Sequence, residues 1–201
     1  MQAEERVRMT SEPAGFPRRA AAYLIDVALL YVYIFALFAA SMILDTLVPF
    51  HDLMAESYAL RHGVSFMTLT LPLVLYFILM EGSRRQGTFG KSRMKLRVTA
   101  VGGSAAPTAA LILRNAVKFL PWEVAHTHIH INPEFLATGQ TTAFGWIAGV
   151  VLPLAAMTVY AGMILVREDR RSLYELASGT RTVRRQGTEP AVHPRVPDKP
   201  S

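Results

Sequence analysis

The chain has 201 residues, of which 51% are hydrophobic and only 18% charged, and its mean hydropathy is +0.26. Soluble domains carry about 25% charged residues, so this balance argues against an ordinary soluble globule. There are 21 Lys and Arg against 15 Asp and Glu, for a formal net charge of +6, and no cysteine. That excludes a disulfide scaffold, a thiolate-held metal or iron–sulfur centre, and a cysteine nucleophile.

In chain order, residues 1–15 form a short segment carrying Arg6 and Arg8. Residues 20–44 are an apolar run with one charge, Asp26. The run is too long, and too interrupted by Asp26, for a cleaved secretory signal. Residues 64–80 are uncharged and contain Pro72. Residues 108–125 have the length of a span but carry Arg114, Lys118 and Glu123. They either cross a bilayer or lie flat at its surface as a basic amphipathic helix. Residues 143–166 contain no charge. A hydrocarbon core of about 30 Å takes roughly 20 residues of helix, with about 17–25 tolerated. The expected fold is an all-α membrane protein.

Basic residues assign the sides. Eighteen of the 21 Lys and Arg fall in residues 1–19, 81–106 and 167–201. Short loops rich in Lys and Arg stay cytoplasmic. Four spans, with both termini inside, put all three basic segments on that side; three spans would translocate the cluster at 167–171. Trp122 and Trp146 then lie at the outer interface, where indoles are favoured. Met94, Leu96 and Val98 alternate with Lys95 and Arg97, and a second alternating piece covers residues 180–183. Both read as short cytoplasmic strands that pair into a ribbon, with residues 96 and 182 close enough to cross-link. Residues 16–183 form the membrane domain. Residues 184–201 read as a basic, proline-rich disordered tail.

Gly87–Ser92 ends like a phosphate-binding loop, but the motif's first glycine would be residue 85, which is arginine. The bland reading is a loop whose Arg84, Arg85, Lys91, Arg93, Lys95 and Arg97 touch anionic headgroups or a partner. Arg19 and Asp26 lie seven residues apart and share a helix face. A charge at the depth of Asp26 costs several kcal/mol unless neutral, hydrated or paired. Arg114 and Lys118, four apart, are its expected partners from the third span. Such a pair either fixes helix register or lines a cation or proton pathway.

Glu123, His126, His128 and His130 form a second constellation. In extended chain the three histidines project to one side. If the helix runs on, Glu123 and His126 share a face at the spacing of carboxylate–histidine metal sites. His51, Asp52 and His62 are possible further ligands. Imidazole with carboxylate suits zinc, copper, nickel or iron; the bland reading is a hydrated interfacial loop. Otherwise no cofactor is expected.

Residues 16–26, which run Phe-Pro-Arg-Arg-Ala-Ala-Ala-Tyr-Leu-Ile-Asp, resemble the opening of the RDD family of small membrane proteins. Gly87-Thr88-Phe89-Gly90-Lys91, followed by Leu96-Arg97-Val98, is similar to its central loop, and Arg114-Asn115 fits its next segment. Residues 171–180 resemble its closing motif. Arg19 and Asp26 match the family's first two namesake residues. Glu175 stands at the second aspartate, and Tyr174 replaces the motif's histidine. The resemblance implies a polytopic protein of the bacterial cytoplasmic membrane, with transport, including cation/proton exchange, proposed for some members.

These observations favour a small transporter or transporter subunit using Asp26 with Arg19 or Arg114, and Glu175 as a further charge-site residue. The alternatives are a non-transporting scaffold or accessory subunit with a basic cytoplasmic face, and a metal-binding protein. Expected partners are the lipid bilayer and further copies or other membrane subunits, not nucleic acid. An enzyme is the least supported class, because no nucleophile–base arrangement or soluble catalytic domain is visible.

Overall fold

The computed structural model describes residues 12–185. Helix α1 covers Phe16–Asp45, with Pro17, whose fixed φ suits a first helical turn, near its start. A short α2, Phe50–Glu56, leads into α3, Tyr58–Gly82. After α4, Phe89–Arg93, comes strand β1, Leu96–Ala100. Helix α5 covers Thr108–Ile131 and is followed by the single turn α6, Phe135–Thr138. Then come α7, Ala143–Val166, α8, Leu173–Ala177, and strand β2, Thr180–Arg184. The tail from residue 186 and the N-terminal residues 1–11, with Arg6 and Arg8, lie outside the described residues.

Among the described residues, α1, α3 and α7 are long and apolar enough to cross a membrane. None of the most apolar stretch of α1 is buried inside the protein. The fully buried side chains include Glu81, Thr88, Arg114, Asn115, Glu175 and Thr180 beside Leu96, Val98, Leu111 and Val183. Charged and polar groups inside with large apolar side chains outside is the reverse of a protein folded in water, and it matches hydrocarbon as the solvent around the helices. Helix α5 packs antiparallel on α3 along its length, with Asn115 against Glu81, Phe119 against Phe77, Glu123 against Thr70 and His126 against Ser65.

Three helices contain prolines and keep going. Proline cannot donate to the carbonyl four residues back, and in hydrocarbon that group needs another donor. Behind Pro72, the Thr68 carbonyl accepts from the Tyr33 hydroxyl of α1. Behind Pro121, the Val117 carbonyl accepts from the Tyr160 hydroxyl of α7 at 2.8 Å. Helices α3 and α7 also widen to π-helix at Phe66–Thr70 and Ile147–Val151, just before Pro72 and Pro153. Continuation past Pro121 alters one expectation. Because His126, His128 and His130 lie on a helix rather than an extended segment, they do not share a side.

The two strands form one antiparallel ribbon, with Leu96 opposite Arg184 and Val98 opposite Thr182. The expected contact between 96 and 182 is therefore two positions out of register. The ribbon gains a third edge from the chain's start: Pro13 bridges Val183, and the Ala14 amide donates to the Thr182 carbonyl at 3.1 Å. The ribbon, α4 and α8 thus collect at the end of the bundle where α1 and α5 begin and α3 and α7 finish.

Candidate functional site: a buried ion network

Helix α8 is one turn long and ends at Ala177, and Gly179, with a φ of +63°, reverses the chain into β2. This places Glu175 under the ribbon, fully buried. Its Oε2 accepts from Arg19 Nη1 at 2.6 Å and from the Ser172 amide at 3.0 Å. Its Oε1 accepts from Arg114 Nη1 at 3.3 Å and from the Thr182 hydroxyl at 2.6 Å. Burial pushes the Glu175 carboxyl up, but the Arg114 and Arg19 guanidiniums and the Thr182 hydroxyl outweigh it and hold it at about 2. Charge-assisted bonds of this kind are roughly twice as strong as neutral ones.

Arg19 also donates through Nε to the Ala14 carbonyl at 2.9 Å and through Nη2 to the Thr182 carbonyl at 3.1 Å. One guanidinium therefore ties α1, the entering chain, α8 and β2 together. Arg114 reaches the same ribbon from α5, donating to the Thr180 hydroxyl at 2.8 Å and the Thr182 hydroxyl at 3.1 Å. Its guanidinium lies 4.9 Å from the centre of the Tyr174 ring. On its other side, Arg114 Nε lies 3.2 Å from Glu81 Oε2.

Glu81, at the end of α3, is fully buried. It pairs with Lys91 of α4 and accepts from Asn115 Nδ2 at 3.3 Å. Lys91 was expected among the lipid-facing basic residues; the structure turns it inward onto Glu81, because an unpaired carboxylate there would be costly. Arg84, Arg85, Arg93 and Lys95 are exposed, and Arg97 is half-buried. Lys118 is half-buried, with its ammonium 3.5 Å above the centre of the Phe77 ring and 4.7 Å from that of Phe119.

Asp26 pairs with neither Arg19 nor Arg114. Its Oδ2 accepts from the Thr88 hydroxyl at 2.6 Å, and its Oδ1 accepts from the Gly90 amide at 2.8 Å and the Tyr76 hydroxyl at 3.2 Å. Neutral donors do the work expected of a cation because α4 lies directly on α1. A Cβ at Gly90 would stand 2.0 Å from the Ala22 carbonyl oxygen, so only glycine permits this approach. The phosphate-loop-like segment thus faces a carboxylate of its own chain.

The histidine segment divides. Glu123 Oε2 lies 3.5 Å from His126 Nδ1, as the helical spacing implied, and His62 joins them, with Nε2 3.2 Å from Glu123 Oε1. His128 turns to the opposite side, against Thr141 Oγ1 at 3.2 Å and the Phe135 ring. His51 pairs with Asp45 at 3.1 Å. Among the described residues, no three His, Asp or Glu side chains are placed to hold one metal ion.

Sequence reasoning missed Glu81, Thr88, Tyr76 and Asn115 as members of the network. Glu81 had a signal of its own, an acid immediately after 17 uncharged residues. The segments that meet here, around Arg19, Asp26, Thr88–Lys91, Arg114–Asn115 and Glu175, are those that carried the family resemblance. Searches of curated proteins and of solved structures return no match. The RDD family model matches residues 13–179, and with the three apolar helices this makes the chain an integral membrane protein that belongs to the RDD family.

Proposed function

We propose that this protein is a non-transporting scaffold or accessory subunit of the bacterial cytoplasmic membrane, holding a rigid basic cap against anionic headgroups. In this reading α5 crosses with the other three helices and both termini are cytoplasmic. Its antiparallel packing along α3 and the distribution of basic residues support that topology. Exposed Arg84, Arg85, Arg93 and Lys95 then face the headgroups, each worth about 1 kcal/mol near an anionic surface.

The observation that carries the proposal is the saturation of the buried carboxylates. Asp26 accepts from three donors and Glu175 from four. Glu81 holds Lys91, Asn115 and Arg114. A transported cation would have to displace donors that also hold the fold together, so the network reads as a clamp.

Reconstitution in phosphatidylethanolamine–phosphatidylglycerol liposomes tests this. The expected result is no proton, Na+ or K+ flux above that of empty liposomes, with phosphatidylglycerol enriched on the purified protein and lost from an Arg84/Arg85/Arg93→Ala variant. A cation or proton flux that Asp26→Asn abolishes in a folded protein would instead establish the transporter reading.

A further inference from the structure

Away from the ion network, the second half of α5 carries a separate constellation. His126 and His130 are one helical turn apart, the i, i+4 spacing with which helical zinc motifs present two imidazoles on one face. Their ring centres are 4.7 Å apart, and the two Nε2 atoms face each other at 3.3 Å. Two nitrogens bound tetrahedrally to zinc at about 2.0–2.1 Å stand roughly that far apart.

The tautomer is set from behind. His126 Nδ1 lies 3.3 Å from the Thr70 hydroxyl oxygen, and that hydroxyl donates to Glu123 Oε2 at 2.8 Å. Nδ1 therefore carries the proton, leaving the Nε2 lone pair pointing at His130. A carboxylate that orients an imidazole in this way raises its basicity as a ligand. The His62 ring stands edge-on to that of His130, with centres 5.6 Å apart, but its Nε2 is engaged by Glu123 Oε1 at 3.2 Å and by Thr127 Oγ1 at 3.1 Å, so that nitrogen anchors the carboxylate. Among the described residues the Ser65 hydroxyl, 3.0 Å from His126 Nε2, is the other group on that atom, and a bound metal would displace it. His130 is half-buried rather than sealed.

We propose that His126 and His130 bind one divalent transition-metal cation of the imidazole-seeking kind, zinc, nickel or copper, through their Nε2 atoms. Water completes the coordination, and Glu123 with Thr70 orients His126 from the second layer. His128, though between them in sequence, takes no part. This site is independent of the scaffold reading, since it shares no residue with the ion network.

The test is calorimetric titration of the chelator-stripped full chain, in detergent and without a polyhistidine tag, with Zn2+ at pH 7.5. The expected result is saturable binding of one ion per chain. His126→Gln and His130→Gln should each weaken it by at least about tenfold, while exposed His51→Gln leaves it unchanged. All variants should elute as the wild-type peak does, and the conservative His130→Gln at the half-buried position carries the conclusion if His126→Gln does not. No saturable binding by the wild type, or binding that survives the His126/His130 double substitution, would overturn the proposal.

Discussion

Replacing Glu175 with glutamine should lower the unfolding free energy by about 3–5 kcal/mol, the cost of removing one partner from a buried ion pair. The substitution keeps the volume but leaves Arg19 and Arg114 without their common carboxylate, where the side chains are almost fully buried. Thermal unfolding of the full chain in detergent measures the loss, and a melting temperature indistinguishable from wild type would refute it. The same residue sets an acid limit. Glu175 sits at about 2 in the folded chain against an ordinary 4.5. A lowered carboxylate stabilises fully above its unfolded value and is lost as pH falls through the folded one. Stability should therefore decline between about pH 4.5 and 2, and the Glu175→Gln variant should lose that part of the acid dependence.

Gly90→Ala should be nearly as damaging, although it adds a single methyl group. The added carbon would sit 2.0 Å from the Ala22 backbone oxygen and 3.0 Å from Asp26 Cγ. Backbone cannot yield as a flexible side chain would, so α4 must lift from α1. Both the Gly90 amide and the Thr88 hydroxyl then leave Asp26. Overpacking of about 1–3 kcal/mol adds to the cost of a buried carboxylate losing its donors. Trypsin should cut faster at Arg93 and Lys95, and the melting temperature should fall. Gly162→Ala, where nothing lies within 4 Å, should change neither. Equal behaviour of the two variants would contradict the close packing of α4 on α1.

What could be read from the sequence follows from what hydrocarbon selects. Lipid acts on composition over about 20 residues, so the cores of α1, α3 and α7 stood out as apolar runs. Their ends did not, because polar residues continue a helix without leaving a hydropathy signal. The ribbon was visible as alternation near Leu96 and Thr182, but its register depends on the strand running as far as Arg184, which alternation alone does not fix. Asp26 and Arg114 were matched as the two conspicuous opposite charges in neighbouring spans. Their actual partners depend on helix rotation and on α4, and no count of charges contains either. Arg19 and Glu175 meet across 156 residues, a separation that no local periodicity reports. Glu81 looked like the first residue of a loop because it follows the last apolar one. The histidines stayed open between an extended and a helical reading for a local reason: whether a helix continues past Pro121 depends on a distant donor, and Tyr160 supplies it.

One ion network fastens the beginning of the chain to its closing segment. A double-mutant cycle on Arg19→Met and Glu175→Gln, read by thermal unfolding in detergent, addresses it most directly. Directly paired residues couple by about 0.5–3 kcal/mol, and a 2.6 Å contact between largely buried groups belongs in the upper half of that range. The double variant should be more stable than the two single losses combined would allow, by more than about 1 kcal/mol. Losses that simply add, within about 0.5 kcal/mol, would show that the two residues do not act on each other and that the clamp does not exist.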